Sequence, residues 1–332
     1  MATSSLNPKI VVLEVPTEAG THWPGQSKAP EALKDAGLVQ KLQKIGYEVL
    51  NFNALDEVEH WLPTDILNGV RNEENTIKVM RKVAAAVSSV NSSHEFLLVL
   101  GGDCSIEGGV LSGLNTVHLH DRIGLLYFDG DADLTLPTDD GIEGMTGILD
   151  SMVITHLTHR DGGLESMKSF SKPDGSPLVT NENIVLFGLD PNQPSAEHWT
   201  FLVEGGFKVF SRPTVSKNPT KAAVEALTWL ESRVDKIVVH FDLDVIDTGQ
   251  FPIGNYPHYA GLEFDEAMTA LRVFAGSEKV MGLVVTEVNA NNDPSGKMLE
   301  MLVDGIVNAF SKRLAVSMTL SFCTYSAHPL YL

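Results

Sequence analysis

The strongest constraint on the fold is the regular alternation of short apolar runs with longer amphipathic stretches. Runs rich in Val, Ile and Leu occur at residues 10–15 (IVVLEV), 47–52 (YEVLNF), 96–100 (FLLVL) and 123–128 (IGLLYF). They recur at 183–189 (NIVLFGL), 207–210 (FKVF), 236–241 (KIVVHF) and 280–288 (VMGLVVTEV). Several are apolar at every position, as strands buried on both faces of a parallel sheet must be. Between most of them lie segments with a helical period, the clearest at 30–46, 75–90, 219–234, 264–276 and 296–314. Pro, Thr or Asp opens several of these. Alternation along all 332 residues predicts one three-layer α-β-α domain spanning 1–332, with a mainly parallel sheet of about eight strands. Only 316–332 (VSMTLSFCTYSAHPLYL) departs from the pattern. Apolar, Ser/Thr-rich and without a helical period, it reads as an atypical C-terminal tail: an oligomer contact, an extra strand or a disordered end.

Charge narrows the partners. Asp and Glu number 43 against 24 Lys and Arg, a formal net charge of −19. Such a surface repels nucleic acid and anionic membranes and suits a small cationic ligand. No apolar run reaches the length of a membrane span, and MATSSLNPK is not followed by the apolar core of a signal peptide. The two cysteines, Cys104 and Cys323, are too few for a disulfide framework. The expected setting is reducing and cytoplasmic.

In open α/β sheets ligands sit beyond the carboxyl ends of the strands. Four predicted strands end there in polar clusters: FLLVL-GGDCS, YF-DGDAD, HF-DLDVID and VVTEVNANND. Asp129, Asp131 and Asp133 alternate, and residues two apart on a strand share a face about 6.6 Å apart. Asp242 and Asp244 repeat the pattern, with Asp247 beyond. If these strands are neighbours, five carboxylates converge. Each pair of like charges ~4 Å apart is unfavourable by roughly 4 kcal/mol at an effective dielectric of about 20. Either several carboxyls hold protons or the cluster holds a cation, and oxygen donors on strand ends suit Mn²⁺ or Mg²⁺. A single D-x-D can equally be a helix N-cap or a loop hydrogen-bonder. An EF-hand loop from Asp129 to Asp140 is disfavoured, because Leu134 stands where that loop needs glycine and a strand precedes it.

GGDCS, DGDAD, HFDLDVID and TEVN, in this order, resemble the motifs of the ureohydrolase (arginase and agmatinase) family: GGDHS, DAHxD, SxDxDxxDP and an EVNP-like strand. The resemblance extends from about residue 9 to 312 and includes the N-terminal VPTEAGTHWPGQSKAPEALKDAG. It implies an arginase-like fold and a site for one or two divalent ions. Asp129 and Asp242 would bridge two ions, Cys104 and Asp133 would complete one, and Asp131 and Asp244 the other. A water acidified by the pair would be the nucleophile. Glu287 matches the carboxylate that holds a guanidinium or amidinium, although a strand-end glutamate can also be a cap or a salt-bridge partner. The resemblance further implies a homo-oligomer, trimer or hexamer.

Two departures shape the functional expectation. The family carries histidine where this chain has Cys104 and Asp131. Both replacements can ligate a divalent ion, but Asp131 adds a negative charge and Cys104 adds another as a thiolate, which makes bound cations poorer Lewis acids. Cys104 pulls towards Zn²⁺, whereas the aspartates pull towards Mn²⁺ or Mg²⁺. Alternatively, Cys104 is a small buried hydrophobe beside a single hard ion. Asp150 and Glu143 are the nearest acids to the family's proton-shuttle histidine, while His156 and His159 lie in an apparent helix and read as structural. GLDPNQP (188–194) lacks the arginine of the family's GLRDVDP-like stretch, so arginine is not the expected substrate. The expectation is a metal-dependent hydrolase cleaving a C–N bond of another guanidino or amidino compound, with Glu287, Asp131 and Asp150 as catalytic residues. The alternatives are a Mg²⁺-dependent enzyme acting on a phosphate or diphosphate, and a catalytically inert interaction subunit.

Overall fold

The computed structural model describes residues 7–90, 95–137 and 146–325, with side chains as far as Ala315 in the last segment. Its strands are Lys9–Glu14 (β1), Glu48–Asn53 (β2), Phe96–Leu100 (β3), Ile123–Phe128 (β4), Ile184–Phe187 (β5), Lys208–Phe210 (β6), Lys236–Asp242 (β7) and Val280–Thr286 (β8). Every apolar run identified in the sequence forms one of them. They build one sheet in the order β2-β1-β3-β8-β7-β4-β5-β6, parallel throughout. The alternation of strand side chains sorts them into two cores. Ile10, Val12, Leu98, Leu126, Phe128 and Val239 join one, and Val11, Leu13, Leu97, Leu125, Tyr127 and Val238 join the other. Helices cover both faces, giving the expected three layers.

The helices are Ala29–Asp35 (α1), Leu38–Ile45 (α2), Glu73–Val90 (α3), Glu107–Val117 (α4), Val153–Leu157 (α5), Ala196–Glu204 (α6), Arg212–Lys217 (α7), Pro219–Glu231 (α8), Phe264–Ala275 (α9) and Lys297–Tyr325 (α10). The stretch 30–46 divides into α1 and α2 at Gly37, whose φ of 92° suits glycine. Helix α4 (EGGVLSGLNTV) has no counterpart among the expected helices, because its glycines depress helix propensity. Those glycines serve packing instead. A Cβ on Gly109 would lie 2.5 Å from the Met80 carbonyl oxygen, and one on Gly113 would lie 2.6 Å from that of Ala84. Only hydrogen at these positions lets α4 rest directly on α3.

The C-terminal segment corrects an expectation. Helix α10 continues to Tyr325 through residues that lack a helical period, because neither Gly nor Pro occurs between Gly305 and Pro329. Residues 326–332, the side chain of Cys323, and both Asp140 and Glu143 lie outside what is described. No helix among the described residues is long and apolar enough to cross a membrane.

Sheet order places the site. The strands that end in the four polar clusters are β3, β8, β7 and β4, and these are consecutive at the centre of the sheet.

Candidate metal centre

Beyond β3, Asp103 caps a 3-10 turn, Cys104–Ile106, accepting from the Ser105 amide at 3.1 Å through Oδ1 and from the Gly20 amide at 3.1 Å through Oδ2. The turn aims the Cys104 thiol across the sheet edge. Its Sγ lies 2.6 Å from Asp242 Oδ2, 3.1 Å from Thr286 Oγ1 and 3.2 Å from His240 Nε2. The β4–β7 register pairs Tyr127 with His240 and Phe128 with Phe241, so Asp129 and Asp242 leave the sheet side by side. Each also caps its own turn: Asp129 Oδ1 accepts from the Asp131 amide at 2.6 Å, and Asp242 Oδ1 from the Asp244 amide at 2.7 Å. Capping and ligation are therefore compatible roles for these carboxylates.

Two donor groups result. Cys104, Asp129, His240 and Asp242, all buried, each bring a ligand atom within 4.8 Å of the others. Asp131, Asp244 and His258 do the same, with His258 Nε2 2.9 Å from Asp131 Oδ2 and 3.8 Å from Asp244 Oδ2. Asp133 belongs to neither group. Tyr127 donates its hydroxyl to Asp133 Oδ2, and the aromatic ring of Tyr127 stacks on His240 at 4.5 Å between centroids. The φ angles of Asp133 and Glu287 are 45° and 62°, left-handed conformations that non-glycine residues adopt at roughly 1–3 kcal/mol each. Both lie where chain direction decides what a carboxylate faces.

Without a counter-ion the centre prefers protons. Burial, then Asp244 and Asp242, push the Asp129 carboxyl well above its ordinary range. Burial, then Asp244 and Glu287, act likewise on Asp242, and burial, then Asp131, on Asp133. The Cys104 thiol is raised by burial and by Asp242. Asp244 is raised by burial to about 6, although His258 pulls it down. Burial alone would lower His258, but Asp244 and Asp131 outweigh it and hold the imidazole up at about 9. Asp129 Oδ2 is buried with no hydrogen-bond partner. Sulfur, nitrogen and oxygen donors converge around crowded carboxyls, one of them with an unpartnered oxygen, and that set fits a divalent cation.

Glu287 joins the thiol turn to the N-terminal loop. Its Oε1 accepts from the Cys104 amide at 3.0 Å and its Oε2 from Gln26 Nε2 at 2.5 Å. Glu18 fixes that loop by accepting from the amides of Gly25, Ser27 and Trp61 at 2.6, 3.1 and 3.0 Å. Asp150 opens a 3-10 turn, Asp150–Met152; burial, then Glu287 and Asp103, raise its carboxyl. A cavity of about 240 Å³ is lined by Cys104, Asp131, Asp133, Asp150, Asp242, Asp244 and Glu287, with Gln193, His198 and Tyr256 at its sides. His156 is buried in α5 and His159 follows it in a turn; neither belongs to a donor group.

Sequence reasoning missed His240, His258, Glu107 and Gln26. For His240 a signal existed, since H-x-D on a strand puts His240 on the same face as Asp242. His258 carries no such signal, because a loop between β7 and α9 brings it back to the site.

A family model described as the arginase family matches residues 8–311. Arginase from Staphylococcus aureus is 27% identical over 312 residues, covering 92% of this chain and 98% of that protein. Among solved structures, arginase from Bacillus cereus aligns with a TM-score of 0.75 at 24% identity, covering 91% of this chain and 98% of that one. Formimidoylglutamase from Bacillus subtilis aligns with a TM-score of 0.69 at 16% identity over 94% and 89% of the two chains. With a family match over residues 8–311 on the parallel sheet described above, the chain belongs to the arginase family.

Proposed function

We propose that the protein is a metal-dependent hydrolase that cleaves a C–N bond of a cationic guanidino or amidino compound other than arginine. The observation that carries this reading is the lining of the cavity: five aspartates and a glutamate, with no lysine or arginine among the described lining residues. A planar cation is matched there by carboxylates. An amino acid's carboxylate, or the phosphate of the alternative reading, meets only like charge and neutral groups.

Cys104, Asp129, Asp131, Asp242 and Asp244 are the residues of the expected ligand set that fall within the two donor groups. A divalent ion held there would supply Lewis acidity and activate a water as nucleophile. Glu287, held by Gln26 and by the Cys104 amide, fixes the substrate cation. The water oxygen bonds to the central carbon, the C–N bond to the amine breaks, and the proton released by water ends on the departing nitrogen. Asp150, which lines the cavity with its carboxyl raised, would carry that proton.

Urea, ammonia or amine release from a panel of guanidino and amidino compounds, with Mn²⁺, Mg²⁺ and Zn²⁺ in turn, tests the reading. Turnover of members lacking an α-carboxylate is expected. A blank panel with metal demonstrably bound overturns it.

A further inference from the structure

We propose that His240 and His258 are metal ligands, so that each donor group takes its imidazole from a position to which the family's motifs assign no ligand. The inference rests on the reading of the site as a metal centre and concerns which atoms hold the ions. Where the family motifs carry histidine, at Cys104 and Asp131, this chain has none. Yet an imidazole nitrogen stands beside each replacement, 3.2 Å from Cys104 Sγ and 2.9 Å from Asp131 Oδ2.

His240 is fully buried, and its two nitrogens have different tasks. Nδ1 lies 2.9 Å from Oε2 of Glu107, a buried glutamate at the start of α4. A carboxylate on one ring nitrogen fixes the tautomer and turns the other nitrogen's lone pair towards an ion. That other nitrogen, Nε2, faces the thiol of Cys104 and the hydroxyl of Thr286, at 3.2 and 3.3 Å. The ring of Tyr127, stacked with an interplanar angle of 12°, holds the imidazole plane. Asp129, whose Oδ2 is unpartnered, belongs to the same group. One sulfur, one nitrogen and two carboxylates form a set suited to a Zn²⁺-type ion rather than to Mg²⁺.

His258 is anchored by its backbone. Its amide donates to Thr248 Oγ1 at 2.8 Å, and its carbonyl accepts from the Thr248 amide at 2.6 Å. This brings Nε2, almost fully buried, between Asp131 and Asp244. The second group is thus one nitrogen and two carboxylates, open to the cavity through Asp131.

The test uses the full-length protein, stripped with chelator and reloaded with Co²⁺ or Zn²⁺. Two equivalents should bind, and the cobalt form should show a thiolate-to-cobalt charge-transfer band with intense visible bands of low coordination number. Cys104→Ser should abolish the charge-transfer band. His240→Asn should shift the visible bands and weaken one site at least tenfold. Glu107→Gln, which touches the ion only through His240, should weaken that site about 10–100-fold while the bands persist. His258→Asn should lower bound metal from two equivalents to one and leave the charge-transfer band intact. Asn variants that bind the same number of ions with native affinity and unshifted visible bands overturn the proposal. If His240→Asn fails to fold, Glu107→Gln and His258→Asn decide the matter. These signals report ligation, not turnover. Cobalt ligation without product release overturns the hydrolase alone, whereas turnover with metal binding indifferent to both histidines overturns the ligands alone.

Discussion

The Nε2 atom of His258 lies 2.9 Å from Oδ2 of Asp131, joining the loop between β7 and α9 to the turn that follows β4. Two segments far apart in the chain thus meet as an imidazole and a carboxylate at the sheet edge.

This pair makes the stability of the metal-free protein depend on pH. His258 is raised from 6.5 to about 9, so between these values the folded state keeps a proton that the unfolded state has released. The stabilisation is complete below about pH 6.5 and is lost as pH climbs through about 9, at most about 3 kcal/mol. Thermal melts in chelator should show Tm falling across this window in the native protein, and a much flatter profile in His258→Asn.

His156 should act in the opposite direction. Burial lowers its imidazole from 6.5 to about 4, and its Nε2 has no hydrogen-bond partner. The unfolded state therefore binds a proton that the folded state refuses. Stability should fall as pH drops from about 6.5 towards 4, by up to about 1.4 kcal/mol per pH unit. His156→Leu should remove that component, read as the difference between the two Tm–pH profiles on the acid side.

Glu287 and Gln26 should act on substrate more than on fold. Glu287→Gln removes the charge that faces the cation, and Gln26→Ala frees one carboxylate oxygen. Hydrogen bonds to charged groups contribute about 1.5–3 kcal/mol, so each change should lower kcat/KM by roughly 10–100-fold. Tm should move little for Gln26→Ala. An unchanged kcat/KM in both variants would remove Glu287 from the cation's site.

Gly109→Val should link packing to chemistry. The new side chain would drive α4 off α3, whose Met80 carbonyl is 2.5 Å from the Cβ position, with a loss of about 1–3 kcal/mol. The urea midpoint should fall. Because α4 carries Glu107 against His240, metal affinity should fall with it.

All eight strands were legible in the sequence, since burial on both faces is recorded residue by residue in apolar runs such as FLLVL and KIVVHF. The polar clusters with Cys104 and the aspartates beyond β4 and β7 were legible as strand-end polarity, but not the strand alternation expected of them, because the chain turns after Phe128 and after Asp242. Helix α4 was not, because its glycines serve α3 and argue locally against a helix. Neither was the continuation of α10, whose apolar Ser/Thr-rich residues conceal the period. What tertiary structure alone decided is which strand ends become neighbours and which side chains arrive from elsewhere. The order β3-β8-β7-β4 follows from crossovers that no short window encodes, and His258 reaches Asp131 only because a loop folds back over the sheet edge. The composition of the donor groups is a property of that convergence, whereas the strands beneath them are a property of local pattern.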